Sequence, residues 1–418
     1  MRILIHGINF SPELTGIGKY TGEMAEWLAA HGHDVRVVTA PPYYPQWRIA
    51  EGYSAWRYRR EFSDALQVVV FRCPLWVPAK PSGLRRLLHL ASFALSSLPV
   101  MLWQVFWRPE LVLAIEPPFF CAPQVLLVAR LSGADAWLHV QDFEVDAAID
   151  LGLLSAGPLR AVAEFLERWL MRRFDCVSTI SERMLDRLAA KGVARSRQIS
   201  FPNWVDTDII YPLSGQGPMR AELGFSTDVV VVLYAGNMGE KQGLEILLDA
   251  AEQLKEERNI RFVLCGDGAV RTRLQEKAKQ RALSNMTFLP VQPLSKLNEL
   301  LGLADIHALM QREEAGDLVL PSKLTGMMAS GRPVLATALR GTALAEILTG
   351  AGCGELVPPG NANLLAGAIL ELAKDREKRI HMGRLGREYA VQYMSKLKVL
   401  QEFDRHLSEL LSKLKAGS

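Results

Sequence analysis

The stretch Val229–Leu254, VVVVLYAGNMGEKQGLEILLDAAEQL, passes from a continuous apolar block through a loop with glycines at 236, 239 and 243 into residues at helical spacing. Unbroken Val/Leu runs mark strands buried on both faces, as in parallel sheets, and a strand, glycine loop and helix in that order form the opening unit of a nucleotide-binding sheet. Lys241 lies in the loop at the mouth of the helix. A cation there opposes the helix dipole unless an anion shares the position, and a diphosphate would supply one. The plain alternative is an exposed loop lysine.

The N-terminus opens in the same way. Arg2–Leu28, RILIHGINFSPELTGIGKYTGEMAEWL, gives a strand, a loop with Gly16 and Gly18, and a helix. TGIG lacks the full G-x-G-x-x-G spacing, so an ordinary βα turn competes with a phosphate cradle. Strand-like runs at residues 3–6, 35–39, 68–71, 111–115, 137–140 and 176–180 alternate with helix-length stretches, and the rhythm resumes at 229–234, 262–265, 306–310 and 333–336. This alternation predicts an α/β fold of two Rossmann-like domains facing each other across a cleft, with a C-terminal helix. The expected bounds are 1–203, 204–388 and a helical segment 389–418 that packs back toward the first domain. The Pro- and Gly-interrupted stretch 201–220 is read as the linker.

Composition excludes several functions. With 418 residues, 49% hydrophobic and 22% charged, the chain is long enough for two ordinary cores. Lys and Arg exceed Asp and Glu by only three (48 against 45), so there is no basic field for nucleic acid. Five scattered cysteines, never spaced as CxxC, fit a reducing cytoplasm and neither a disulfide framework nor a zinc site. MRILIHGINF reads as a strand and not as a secretory signal.

Three further segments carry candidate chemistry. LVLPSKLTGMMASGRPVLAT places Pro321, Ser322 and Lys323 at a helix start, where a serine can also be a simple cap. AWLHV ends in Gln141, Asp142, Phe143 and Glu144, at the carboxyl end of a strand where such sheets bind ligands; Asp142, Glu144 and Asp146 are candidates for holding a substrate hydroxyl, and His139 reads as core. Leu84–Trp107 is nearly all apolar, with Arg85 and Arg86 at its start and Trp103 and Trp107 near its end. It is read as a helix lying on a membrane, against the alternative of a buried helix. Asp206-Thr207-Asp208 mimics an acidic metal motif but falls in the linker, so no metal is expected.

ELTGIGKYTGEMAEWL, PNWVDTDIIYP, YAGNMGEKQGLEILLDAAEQL and GRPVLAT together resemble the retaining glycosyltransferases of family 4, over nearly the whole chain. More narrowly, LHVQDFEVDA and VLPSKLT resemble fucosyltransferases of colanic-acid-like exopolysaccharide biosynthesis. The resemblance implies a GT-B fold with the acceptor on the first domain and the nucleotide sugar on the second. Gly16 and Gly18 would then cap the diphosphate. Further donor contacts are implied at Gly236, Asn237, Gly239, Lys241, Asp267, Glu314, Pro321, Ser322, Lys323 and Leu324, and catalytic roles at Asp142, Gln141 and Lys241. Lys241 is expected to carry most of the charge compensation. GDP-fucose is the implied donor, and a polyprenyl-diphosphate-linked saccharide at the inner face of the cytoplasmic membrane the implied acceptor. Two departures stand out. Gln141 replaces a usual histidine, and the glutamate pair of the second domain aligns with Leu318 and Gly326, leaving Glu313, Glu314 and Asp317 as the nearest acids.

A transferase of this kind must stabilise charge growing on the leaving diphosphate, which preorganised cations and helix N-termini do well. A sugar-nucleotide epimerase and a non-catalytic subunit of the same fold are the competing readings.

Overall fold

The computed structural model describes residues 1–14, 16–79, 83–150, 157–214, 217–313 and 320–417. The chain forms two compact units, Met1–Pro202 with Leu400–Ser418, and Asn203–Val399.

Among the described residues the first unit carries eight strands: β1 Arg2–His6, β2 Asp34–Thr39, β3 Arg59–Ser63, β4 Val68–Arg72, β5 Leu111–Glu116, β6 Asp135–Val140, β7 Cys176–Thr179 and β8 Gln198–Ser200. Their order is β3-β4-β2-β1-β5-β6-β7-β8, parallel except for the β3–β4 pair. Every residue of β5 is buried, as its apolar run requires. In the second unit β9 Val230–Ala235, β10 Ile260–Cys265, β11 Met286–Leu289, β12 Ile306–Leu309, β13 Val334–Thr337 and β14 Gly354–Val357 form a parallel sheet in the order β11-β10-β9-β12-β13-β14. Chain direction across each sheet reverses beside the first strand, between β1 and β5 and between β9 and β12. Both glycine loops therefore leave at a switch point, where such sheets bind ligands.

The segment expected as a linker is largely packed. Trp204 and Val205 are buried, and Arg387 donates to the Thr207 and Ile210 carbonyls at 2.9 and 2.7 Å. The Val205 N–H donates to the Met394 carbonyl, and the Lys396 N–H donates to the Val205 carbonyl. This insertion divides what reads in sequence as one terminal helix into Arg376–Tyr393 and Lys396–Gly417. From the latter, Phe403 stacks on Phe201 at 4.4 Å and meets Trp137 at 5.1 Å.

The apolar segment forms the helix Gly83–Gln104, followed by a short turn to Trp107. One face is committed to its own unit: Ser97 Oγ meets His6 Nε2 and accepts from Gln124 Nε2, both at 3.1 Å, and Gln104 accepts from Arg36 at 3.0 Å. The other leaves Leu84, Leu88, Leu95 (73% exposed) and Trp103 in solvent, with Phe106 just beyond.

Candidate functional site

In the second unit β9 and β10 end in glycine turns that run backbone against backbone. A Cβ on Gly266 would stand 2.0 Å from the Gly236 carbonyl oxygen, so no larger residue fits. Gly236 and Met238 donate to the Cys265 and Asp267 carbonyls at 3.0 and 2.8 Å. Beneath this clasp Tyr234 is fully buried and donates its hydroxyl to the Asn237 carbonyl at 2.5 Å. Lys323 opens the helix Lys323–Ala329, and its ammonium lies 4.0 Å from the centre of the Tyr234 ring. The Lys323 chain also underlies Gly236, with Cδ at 3.6 Å from where a Cβ would be. Burial pulls the Lys323 ammonium down to about 7, and among the described residues it has no ion-pair partner. A half-buried cation on an aromatic ring, under glycine turns, gains from a neighbouring anion, which would favour its charged form.

The other implied donor residues surround it. Asn237 and Asp267 are exposed, and Asp267 Oδ1 accepts from the Gly268 N–H at 2.8 Å. Gly239 is held by Gln242, whose Oε1 accepts its N–H at 3.1 Å. Lys241 is exposed on the short turn Glu240–Gln242, and its carbonyl accepts from the Arg312 N–H. The better-covered cation of this half is thus Lys323. Ser322 occupies the helix cap position with helical backbone angles and no capping bond, which removes the simple-cap reading. Pro321 is half-buried and Leu324 is core. Glu314 and Asp317 lie outside the described residues; Glu313 is exposed.

In the first unit the glycine pattern has a packing cause. A Cβ on Gly18 would fall 2.6 Å from Glu13 Oε2 and 2.7 Å from Glu13 Cβ. Glu13 is buried; Oε1 accepts from the Tyr43 and Tyr44 N–H groups at 3.0 and 2.9 Å, and Oε2 accepts from Asn9 at 2.9 Å. Gly16, half-buried with φ +61°, lies within 3.7 Å of the Tyr44 ring by its hypothetical Cβ. Sequence reading overlooked Glu13, although an acid just before a glycine turn is the available signal.

At the end of β6, Gln141 is buried, and its carboxamide Nε2 donates to His139 Nε2 at 2.9 Å. That network leaves the proton on Nδ1, donated to Ser178 Oγ at 2.9 Å, and burial lowers the imidazole to about 3, so His139 is a neutral support. Asp142 is half-buried on the following turn. Its charge raises Tyr44 and Glu144, while Arg86, from the first turns of the Gly83–Gln104 helix, lowers both; for each of them burial is the larger, raising cause.

The other acids of this segment are occupied. Asp146 pairs with Arg187 at 2.7 Å and Lys191 at 2.9 Å, and Lys191 also pairs with the fully buried Glu167. Glu144 accepts from the Phe119 N–H at 2.6 Å and donates its own N–H to Glu116. Burial pushes Glu144 up to about 7 and Glu116 well above the carboxylate range. Asp146 is therefore corrected from a substrate-facing acid to a structural ion pair, and Glu144 is tied to the β5 turn. The Asp206–Asp208 motif is a turn in which Asp206 Oδ1 accepts from the Asp208 and Ile209 N–H groups.

Residues 15–204 match the Glycosyl transferase 4-like domain, and residues 216–389 match the Glycosyl transferases group 1 domain. A protein of Escherichia coli (strain K12) named as the colanic acid biosynthesis glycosyl transferase WcaI is 45% identical over 410 residues, covering 96% of this chain and 98% of its own. Among solved structures, sucrose-phosphate synthase of Thermosynechococcus elongatus matches with a TM-score of 0.75 at 19% identity over the full length of both chains. Anabaena HepE, in complex with UDP and glucose, matches with a TM-score of 0.69 at 17% identity, covering 98% of this chain and all of its own.

Proposed function

The chain belongs to the GT-B glycosyltransferases that join a 4-like domain to a group 1 domain, and from that we propose that it is a retaining transferase moving L-fucose from GDP-fucose to a polyprenyl-diphosphate-linked saccharide, in assembly of a colanic-acid-like exopolysaccharide. The observation that carries the donor half is Lys323 over Tyr234 beneath the Gly236 turn. The likeness to WcaI supports the pathway.

In this reading the second unit binds the nucleotide sugar. Lys323, the loop N–H groups and the rim cation Lys241 meet the charge that grows on the diphosphate as its bond to the sugar breaks. Asp142, on the first unit, orients the accepting hydroxyl, with Gln141 fixed behind it by His139. The hydroxyl oxygen bonds to the anomeric carbon on the face the diphosphate leaves, and its proton passes to the departing phosphate oxygen. Protein cations supply the compensating charge, so no metal is required.

The apolar outer face of the Gly83–Gln104 helix supports a place on the inner surface of the cytoplasmic membrane. Because His6 and Gln124 depend on Ser97, and Arg36 on Gln104, a helix leaving the unit to span a bilayer would strip buried polar groups of their partners. Lying on the surface costs none of these bonds.

A second donor class has one specific support, the UDP held by HepE. Thermal shift and product analysis with GDP-fucose and with UDP-glucose, each with and without EDTA, separate the readings. Stabilisation and EDTA-resistant transfer with GDP-fucose are expected; transfer from the UDP-sugar alone would replace the donor assignment.

A further inference from the structure

A cavity of about 320 Å3 lies in the first unit outside the residues discussed so far. Its walls hold Arg57, Arg59 and Arg72, with Tyr53 and Tyr58 between them. The Arg59 and Arg72 guanidiniums lie 5.4 and 5.3 Å from the centre of the Tyr53 ring. Arg72 is buried and rigidly held, donating to the Ala40 carbonyl at 3.1 Å, the Ser11 carbonyl at 2.6 Å and Glu61 at 2.8 Å. Glu61 also pairs with Arg59 at 3.1 Å. One carboxylate thus serves two guanidiniums, and Arg57, exposed at the mouth, has no hydrogen-bond or ion-pair partner among the described residues. Like charges gathered around a cavity repel one another, and an anion entering it relieves that repulsion.

The cavity stands at the carboxyl edge of the sheet, since Pro41 follows β2 and Arg72 ends β4. Asp142 follows β6 on the same edge. Three to four strand spacings separate them, roughly 14–19 Å, the span of a short saccharide. Arginine recognises carboxylate and phosphate through paired N–H groups, and a tyrosine face suits a sugar ring.

We infer that this arginine pocket binds an anionic group of the acceptor saccharide, a sugar carboxylate or a phosphate, several sugar units from the accepting hydroxyl. The assignment of that group to the acceptor rests on the transferase reading above. The pocket then selects acidic over neutral acceptors, while Asp142 positions the hydroxyl.

Titration calorimetry on the full chain tests this with glucuronate, glucose 1-phosphate and glucose as probes, and with GDP-fucose binding followed in the same samples. At least one anion is expected to bind where glucose does not, and preference between the two anions identifies the group. Arg57→Gln should weaken that anion about tenfold and leave GDP-fucose binding unchanged; Arg57→Lys should recover part of the loss. Equal binding of glucose, or full anion affinity in folded Arg57→Gln, would overturn the pocket. Wild-type protein that binds nucleotide sugar and neither anion overturns the pocket alone. Protein that binds an anion, with Arg57 dependence, but neither GDP-fucose nor UDP-glucose in the same calorimetry keeps the pocket and overturns the proposed donor chemistry and, with it, the assignment of the anion to an acceptor.

Discussion

Lys323 gives donor binding a pH dependence that can be worked out in advance. Its ammonium is lowered to about 7 by burial, so the free protein holds it half-charged near neutrality. A diphosphate beside it restores the charged form. With the bound state returned toward the ordinary value of 10.5, the affinity for a nucleotide sugar falls as pH rises above 7. Between pH 6 and pH 8.5 the fall is about thirtyfold, or about 2 kcal/mol, and binding takes up about half a proton at pH 7 and about 0.9 at pH 8. Nearby groups do not imitate this effect. Burial keeps His307 neutral, at about 3, and Arg332, although lowered by burial, stays charged through the range. A nucleotide sugar is the right probe, because the terminal phosphate of a free nucleoside diphosphate itself titrates near pH 6. Calorimetry in two buffers of different ionisation enthalpy measures the uptake directly. Lys323→Gln should abolish both the uptake and the pH dependence. Lys241→Ala removes an exposed, solvent-screened charge, so it should cost only about tenfold and leave the pH dependence intact. Affinity that is flat from pH 6 to pH 8.5 in wild type, or a slope that survives in folded Lys323→Gln, would refute the assignment of Lys323 to the diphosphate.

Asp142→Asn should leave nucleotide-sugar affinity within about twofold while lowering transfer by about a hundredfold; equal losses in binding and transfer would remove Asp142 from the acceptor side. Glu144 predicts a stability slope: its carboxyl sits at about 7 in the folded state, so stability present below the ordinary 4.5 is lost as pH rises through 7. The ceiling is about 3 kcal/mol, reduced to about 1–2 by local relaxation, and calorimetric melting of Glu144→Gln should show a flatter decline from pH 5 to pH 8; identical slopes would assign the effect elsewhere. Flotation with anionic liposomes at low salt should capture the protein, and Leu95→Gln with Trp103→Gln should release it. Wild type left in the soluble fraction would sink the membrane reading.

Much of this architecture was legible because parallel strands are buried on both faces. Their Val, Ile and Leu runs need no alternation, and β1, β5, β9 and β10 stand out for that reason. The strands missed, β3, β8, β11 and β14, are the edge strands of the two sheets; β8, β11 and β14 are also short, and β3 (Arg59–Ser63) carries charges, so its composition reads as loop. The terminal helix break was invisible because its cause, the Val205 backbone, comes from far earlier in the chain. Lys323 could be singled out from its place at a helix start, but its Tyr234 platform could not, since local spacing carries no record of which aromatic lies beneath a distant lysine. The arginine pocket shares this limitation. Arg57, Arg59 and Arg72 look like a solvated stretch and an edge strand until the sheet folds β4 antiparallel to β3 and brings Arg59 opposite Arg72.

The two glycine loops, nearly interchangeable as sequence, differ in what fills the space a side chain would take. At Gly18 that space holds Glu13, a carboxyl group whose oxygens are already engaged by Asn9, Tyr43 and Tyr44. With both oxygens accepting N–H bonds, this carboxyl adds no positive charge for an incoming diphosphate. At Gly236 the corresponding space borders half-buried Lys323, with Cδ at 3.6 Å and Nζ at 3.8 Å. One loop packs against an acid, and the other against a base. This contrast supports the proposed placement of the nucleotide sugar on the second unit, and in that proposal the first unit recognises the acceptor through Asp142 at one strand end and arginines at another.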